Sequence, residues 1–217
     1  MAKLLENTYR AVNVALVNEF ALLCHRLGID VWSVVGAAAS KPFGFQSFSP
    51  GIGPGGHCIP VDPLYLSWKA REQGVVARLL ELAVEINDSM ADFVVQRVET
   101  YLNASGIVVN ESRILCLGAA FKAGVSDTRN SRAIRVMELL SERHSQVSYY
   151  DERVPVIHVR GSELKSLSLA EIRQLHFDLI LVLVKGEWPV QDLASRGTRV
   201  FDAVNATDNQ IPLSERL

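Results

Sequence analysis

The chain has 217 residues, of which 48% are hydrophobic and 21% charged, so it carries enough apolar material for a folded core and is not a disordered chain. Its formal net charge of −2, from 22 basic and 24 acidic residues, gives no indication of a nucleic-acid or membrane partner. The three cysteines are widely spaced without a C-x-x-C pair, and no signal-peptide pattern or apolar run of about 18 residues is present. We therefore expect a cytoplasmic protein with reduced thiols.

Helical periodicity covers the first half of the chain. Apolar residues recur there at three- and four-residue spacing, and the predicted helices cover residues 3–27, 31–40, 63–73 and 76–103. Gly28 ends the first helix and Asp30 caps the second. Asp62 is predicted as the N-cap of the third, with Pro63 as its first helical residue. The fourth helix is the longest and must bury its apolar stripe, which makes it a candidate connector or dimer interface.

The pattern changes near residue 110, where short apolar strands begin to alternate with helices. The predicted strands cover residues 113–118, 146–151, 177–184 and 198–203, and the predicted helices 131–143, 168–175 and 189–195. Such alternation indicates a small parallel sheet with right-handed crossovers. Ligands of such sheets lie beyond the carboxyl ends of the strands, which points to the loop 121–131. We predict an α/β protein: an all-helical domain over residues 1–104, then a Rossmann-like domain over residues 105–217.

The loop GIGPGGHCIPVDP, residues 51–63, combines four glycines and three prolines around Cys58. Its place just ahead of a predicted helix N-terminus favours the thiolate form of Cys58. Gly51, Gly53 and Gly56 also match a G-x-G-x-x-G turn. An aromatic, proline-broken stretch precedes them instead of a strand, so we reject a dinucleotide-binding turn here. A simpler reading stays open, in which Cys58 is an inert buried thiol and Asp62 only a helix cap.

Polar residues interrupt the first predicted helix at helical spacing. Lys3 and Asn7 lie four residues apart and share a face, and Asn18 lies three turns beyond Asn7. One interpretation is a solvated stripe. The other is a polar face turned toward a functional site, with Lys3 and Asn7 as hydrogen-bond donors.

Several of these segments together resemble the UDP-glucose/GDP-mannose 6-dehydrogenase family, most of all its UDP-N-acetylhexosamine branch. The resemblance is carried by AKLLENTYRAVNVALVNEFALLCHRLGIDVW, KPFGF, GIGPGGHCIPVDPLYLSWKARE, ELAVEIND and LGAAFKAGVSDTRNS. Members of the family have an NAD-binding Rossmann domain, a helical middle domain and a UDP-binding Rossmann-like domain. This chain resembles the last two parts. The resemblance therefore implies an NAD-dependent enzyme whose NAD site lies mostly in a domain absent here.

The resemblance also implies catalytic roles. Family members oxidise the C6 alcohol of a nucleotide sugar twice, through a thiohemiacetal and a thioester. Cys58 matches the nucleophile. Lys3 and Asn7 match the pair that stabilises the oxyanions, and Asp62 matches the carboxylate that positions or activates water.

Binding roles follow in the same way. Gly55 matches a backbone contact to the substrate, Lys122 a lysine facing the UDP pyrophosphate, and Arg129 an arginine that reaches NAD phosphates. Because the family dimerises through its middle domain, we expect a homodimer through the helix 76–103. The substrate implied is a UDP-sugar, and the His-Cys-Ile-Pro version of the motif favours an N-acetylated hexosamine.

Some residues depart from the family pattern, and two other functions stay open. Arg132 replaces a proline usual after the arginine, and Val204 stands where many members have a charged residue, which puts one phosphate or subunit contact in doubt. One alternative is a non-catalytic UDP-sugar-binding or dimerisation module. Another is a metal protein using Cys24-His25 and His57-Cys58, but adjacent helical residues point apart and the ligand spacing is wrong, so no metal site is predicted.

Overall fold

Four helices open the chain, as the apolar periodicity predicts. In the computed structural model, which describes residues 1–194, 197–207, 211 and 214–217, α1 spans Ala2–Leu27, α2 Val31–Ala39, α3 Asp62–Arg71 and α4 Arg78–Ala104. The chain divides into two units, residues 1–90 and 91–217, and the division falls inside α4. The domain boundary at residue 104 matches the last residue of α4 and stays a prediction.

The predicted stop of α1 at Gly28 and the predicted Asp30 cap of α2 are confirmed, whereas the predicted Asp62 cap of α3 is wrong. Gly28 ends α1 in the left-handed conformation at φ 68°, and the Asp30 carboxylate accepts hydrogen bonds from the backbone of Trp32 and Ser33. Asp62, however, is the first residue of α3 and caps nothing, and Val61 is the N-cap without a side-chain bond. The reason is a turn closed by the carbonyl of Cys58, which accepts from the N–H of Asp62 at 2.8 Å and makes the chain helical one residue early.

Small residues let the helices of the first unit pack closely. Ala11, Ala15 and Ala21 of α1 are each at most 3% exposed. Ala21 and Cys24 form a core cluster with Val31 of α2, and Trp32, Val34 and Val35 pack against it. Residues 41–61, all described, form no helix or strand, which agrees with the rejection of a dinucleotide-binding turn at Gly51.

A parallel sheet forms the centre of the second unit. Its strands are β1 (Arg113–Leu117), β2 (Gln146–Tyr150), β5 (Leu179–Val182), β6 (Arg199–Asp202) and β7 (Ser214–Arg216), in the order β2-β1-β5-β6-β7 among the described residues. All neighbouring pairs are parallel, so the predicted α/β class is confirmed. Helices α5 (Arg132–Glu142), α6 (Leu169–Gln174) and α7 (Val190–Ala194) connect the strands. Residue 195, the end of the predicted helix 189–195, lies outside the described residues.

Three elements of the second unit were not predicted. A 3₁₀ turn covers Val109–Glu111, and an antiparallel hairpin is formed by β3 (Val156–Val159) and β4 (Ser162–Lys165). Its two-residue turn is Arg160-Gly161, with positive φ at both positions. The third is β7, a short polar strand. It is attached to α4 by Arg97, which forms an ion pair with Glu215 and donates to the carbonyl of Arg216 at 2.9 Å.

The register of the sheet aligns the carboxyl ends of three strands. Leu117, the last residue of β1, lies opposite Tyr150 of β2 and Val182 of β5. Below this edge, Leu115, Ile180 and Val200 belong to one buried apolar cluster. The loops that follow β1, β2 and β5 therefore emerge side by side, where a parallel sheet binds its ligands.

Candidate active site

In the first unit, α1 and α3 bring three polar residues of the predicted site together. Asn7 Nδ2 donates to Asp62 Oδ2 at 2.7 Å, and Lys3 Nζ lies 3.2 Å from the same oxygen. Lys3 and Asn7 reach one atom because their four-residue spacing stacks them on one helix face. Asn7 is only 8% exposed, so the interpretation as a solvated stripe is wrong for this residue.

The charges of this cluster stabilise each other. Burial would raise the pKa of Asp62, but hydrogen bonds from Asn7 and Lys3 and the charge of Lys3 outweigh it and hold that pKa below its ordinary value of 3.8. The hydrogen bond and charge of Asp62 raise the pKa of Lys3. Both groups are thus ionised at neutral pH. The contribution of Asp62 to stability is present above its unfolded pKa and is lost as pH falls through the lower folded pKa.

Cys58 belongs to this cluster. It lies one helical turn before Asp62 and contributes both charge and a hydrogen bond to the raised pKa of Lys3. Its side chain is partly exposed, whereas Cys24 and Cys116 are buried, and burial raises the pKa of the Cys116 thiol. The description as an inert buried thiol therefore fits Cys24 and Cys116. Cys58 does not fit it.

Gly55 lies three residues before Cys58 and is partly buried. The structure places this glycine in the irregular loop that leads to Cys58. Its backbone contact to a substrate stays a prediction.

Lys122 lines a cavity of about 400 Å³ in the second unit. The cavity lies at the carboxyl ends of β1, β2 and β5, where the parallel sheet predicts a ligand. Two further cations, Arg153 and Lys185, line it together with Trp188. These three residues were not predicted from the sequence. Each follows a predicted strand by only a few positions, and this placement is the signal that could have identified them.

Acidic residues also line this cavity, and one of them shapes it. The Asp151 carboxylate accepts the N–H groups of Ala119 at 2.8 Å and Ala120 at 3.3 Å. These bonds fix the turn that leads from β1 to Lys122. Asp151 is 6% exposed, and the two backbone N–H groups stabilise its buried carboxylate.

Arg129 does not line the cavity. Its guanidinium is held by Asp127, with Nη2 to Oδ2 at 2.6 Å and Nε to Oδ2 at 3.0 Å, and its side chain is 66% exposed. Arg129 and Lys122 belong to the second unit, whereas Cys58 belongs to the first. The contact of Arg129 with NAD stays a prediction.

The structure accounts for one of the two departures from the family pattern, which is Val204. Val204 packs against the apolar cluster of the sheet. Its N–H, with those of Ala206 and Thr207, donates to the carboxylate of Asp202, which is fully buried. The segment after β6 is therefore ordered by Asp202 without a charge at position 204. Arg132 is the first residue of α5, and nothing in the structure explains its replacement of proline.

The described residues contain neither a candidate metal cluster nor a helix suited to span a membrane. No group of three or more His, Cys, Asp or Glu side chains is placed to hold a metal ion there. None of the described helices is long and apolar enough to cross a membrane.

The protein is thus an α/β protein with a helical unit that carries a partly exposed thiol and a parallel-sheet unit that carries a cavity lined by lysine, arginine and acidic side chains. Residues 1–89 match the central domain of the UDP-glucose/GDP-mannose dehydrogenase family, and residues 115–209 match its UDP binding domain. The chain belongs to the UDP-glucose/GDP-mannose dehydrogenase family.

Relatives support the assignment and show its extent. The chain is 37% identical to the UDP-N-acetyl-D-glucosamine 6-dehydrogenase of Salmonella typhi, over 92% of this chain and 46% of that protein. It is 40% identical to the UDP-N-acetyl-D-mannosamine dehydrogenase of Pyrococcus horikoshii, over 73% and 37%. The solved structure of a UDP-D-ManNAc dehydrogenase from P. horikoshii superposes with TM-score 0.85 at 29% identity, over all of this chain and 50% of that one. The chain thus spans about half the length of the relatives it matches.

Proposed function

We propose that this chain is the substrate-binding, thiol-bearing part of an NAD-dependent UDP-N-acetylhexosamine 6-dehydrogenase. The observation that carries the proposal is the convergence of Lys3 and Asn7 on one oxygen of Asp62, beside a partly exposed Cys58. The relatives named as acting on UDP-N-acetylglucosamine and UDP-N-acetylmannosamine favour an N-acetylated hexosamine. They do not distinguish between the two sugars.

In this proposal Cys58 forms and releases the covalent intermediate. The first oxidation converts the C6 alcohol of the substrate to an aldehyde. The Cys58 thiolate adds to this aldehyde and gives a thiohemiacetal, whose oxidation leaves a thioester. Lys3 and Asn7 each retain an N–H beyond the one directed at Asp62, and these donors can stabilise the oxygen anion that forms at each addition. Water then cleaves the thioester and returns the thiolate. NAD, when bound, accepts the hydride of each oxidation.

Asp62 orients the attacking water in this scheme. Its pKa is held low, so it is a weak base, better suited to positioning water than to removing its proton completely. The described residues form no G-x-G-x-x-G turn between a strand and a helix. Only Arg129 is proposed to contact NAD from this chain.

The cavity of the second unit is proposed to hold the UDP part of the substrate. Lys122, Arg153 and Lys185 supply positive charge for the diphosphate. Trp188, whose indole N–H donates to the carbonyl of Val184 at 2.7 Å, supplies an apolar ring in the same cavity.

The 217-residue chain assayed alone with NAD and UDP-N-acetylglucosamine or UDP-N-acetylmannosamine is expected to give no NADH, because its described residues form no dinucleotide-binding turn. Joined to the N-terminal half of the P. horikoshii relative, it is expected to give NADH, measured by absorbance. UDP binding with no NADH in the joined protein would instead favour the alternative, a non-catalytic UDP-sugar-binding module.

We also propose a homodimer, with a face that differs in part from the predicted one. In α4, the apolar residues Met90, Val94, Val95, Val98 and Leu102 are fully buried, which leaves Leu79 and Leu82 exposed. On α1, six large apolar side chains are 45–71% exposed and follow one helix face: Leu5, Tyr9, Leu16, Phe20, Leu23 and Leu27. Such a stripe marks an interface. The proposed face is α1 together with Leu79 and Leu82.

Placing charges on this stripe is expected to separate the dimer. The double substitution Leu16→Glu and Leu23→Glu should reduce the mass measured by light scattering from two chains to one, because two charges would have to be buried. The control is Leu175→Glu, on an exposed leucine of the second unit, which should leave the mass unchanged. A monomeric parent chain would contradict the proposal.

A further inference from the structure

Two buried asparagines join α1, α4 and the beginning of the Cys58 loop. Asn18 is fully buried and Asn87 is 2% exposed. Asn18 Nδ2 donates to Asn87 Oδ1 at 2.9 Å, and Asn87 Nδ2 donates to the carbonyl of Ala11 at 3.0 Å. Asn18 Oδ1 accepts the N–H of Gly51 at 3.0 Å. Because a backbone N–H can only donate, these partners fix the orientation of both amides.

The bond to Gly51 places the loop at a defined point on α1. Asn7 and Asn18 are eleven residues apart, close to three helical turns, so they lie on one face about 16 Å apart along the axis. Asn7 holds Asp62 at the end of the loop, and Asn18 holds Gly51 at its start. One helix therefore holds both ends of the segment that contains Cys58.

The loop is longer than the distance between these two anchor points requires. The chain from Gly51 to Asp62, fully extended, would span roughly 36–40 Å, more than twice the separation of its anchors along α1. Gly53 and Gly56 turn the chain at φ 93° and 87°, conformations that glycine adopts without strain. A loop with this much excess length has many possible paths, so its anchors decide where Cys58 lies.

We propose that Asn18 and Asn87 are positioning residues, which set the Cys58 loop in register with Lys3 and Asn7. Apolar side chains would pack between α1 and α4 without the cost of burying two amides. The hydrogen bonds of the two amides instead hold the loop in one position. Buried polar groups can fix the register of packed elements in this way. Their proposed effect on Cys58 rests on the function proposed above, whereas the hydrogen bond between Asn18 and Gly51 does not.

Hydrogen–deuterium exchange tests the hold on the loop. In Asn18→Leu, peptides covering residues 50–58 are expected to exchange on the order of tenfold faster than in the parent chain, because the Gly51 N–H loses its acceptor. Val17→Ala is the control, since it removes buried volume from the adjacent position of α1 but leaves that bond intact. If Asn18→Leu fails to fold, Asn18→Ala replaces it, because the space it leaves admits a water that can satisfy Asn87.

A double-mutant cycle tests the consequence for Cys58. Lys3→Met is expected to slow alkylation of Cys58 by iodoacetamide in the parent chain and in Val17→Ala, and to have no effect in Asn18→Leu. Exchange over residues 50–58 no faster than in Val17→Ala, or an unchanged effect of Lys3→Met in Asn18→Leu, would overturn the proposal. An absence of any Lys3 effect in the parent chain would count against the proposed chemistry and leave the exchange result to decide the positioning role.

Discussion

Replacing Cys58 by alanine is expected to lower NADH formation on the order of 10³-fold or more in the chain joined to the N-terminal half of a relative. The thiohemiacetal of the proposed function needs a nucleophile, and Cys58 is proposed to supply it. Among the three cysteines, Cys58 is the partly exposed one, and it lies beside Lys3. The measurement is the initial rate of NADH formation, with UDP binding confirmed for each variant.

The matched control is Cys24→Ala, which removes a thiol packed between α1 and α2. It is expected to lower stability while keeping the rate within a few-fold of the parent. If Cys58→Ala keeps the parent rate while Cys24→Ala does not, Cys58 is not the nucleophile.

Lys122→Ala is expected to weaken UDP binding by the chain roughly 10- to 100-fold, because the cavity then loses a charge-assisted bond to phosphate. Lys122 lines the cavity where β1, β2 and β5 end. Isothermal titration calorimetry with UDP measures the affinity. The effect should shrink at high salt, since screening weakens partly exposed charge pairs.

Lys165→Ala serves as the control for that loss of charge. Lys165 is 77% exposed on β4, pairs with Glu163 and does not line the cavity, so its removal changes the net charge by the same amount outside the cavity. Equal affinities for UDP in the parent chain and in Lys122→Ala would show that Lys122 does not contact the bound UDP.

The regular elements were predictable because local pattern determines them. The apolar repeats of α1 and α4 are long. The run LILVLV that follows Asp178 has the uninterrupted apolar character of a strand buried on both faces, as found in β5. The hairpin β3–β4 was missed because its turn is Arg-Gly, not one of the Asn-Gly or Asp-Gly pairs that signal such turns. The strand β7 has no apolar run and depends on its bonds to Arg97.

The site was less predictable because it depends on contacts between distant segments. Helical spacing brings Lys3 and Asn7 together, but nothing in the spacing directs them to a carboxylate 55 positions beyond Asn7. Only the family resemblance connected Asp62 with them, and local reasoning assigned Asp62 the wrong task, that of a cap. Asn18 was noticed on the same face, yet its partners Asn87 and Gly51 follow only from the packing of α1 against α4 and the loop.

Lys3 and Cys58 are proposed to act on each other in one site, and alkylation of the chain by iodoacetamide at neutral pH measures this interaction. Mass spectrometry of each cysteine peptide is expected to show Cys58 reacting faster than Cys24 or Cys116. Lys3→Met should slow Cys58 alone by roughly three- to tenfold, because a neighbouring ammonium favours the reactive thiolate. Lys69→Met, which removes an exposed lysine paired with Glu72, should change nothing. Equal rates at the three cysteines, or a Cys58 rate that does not depend on Lys3, would show that Lys3 does not activate Cys58.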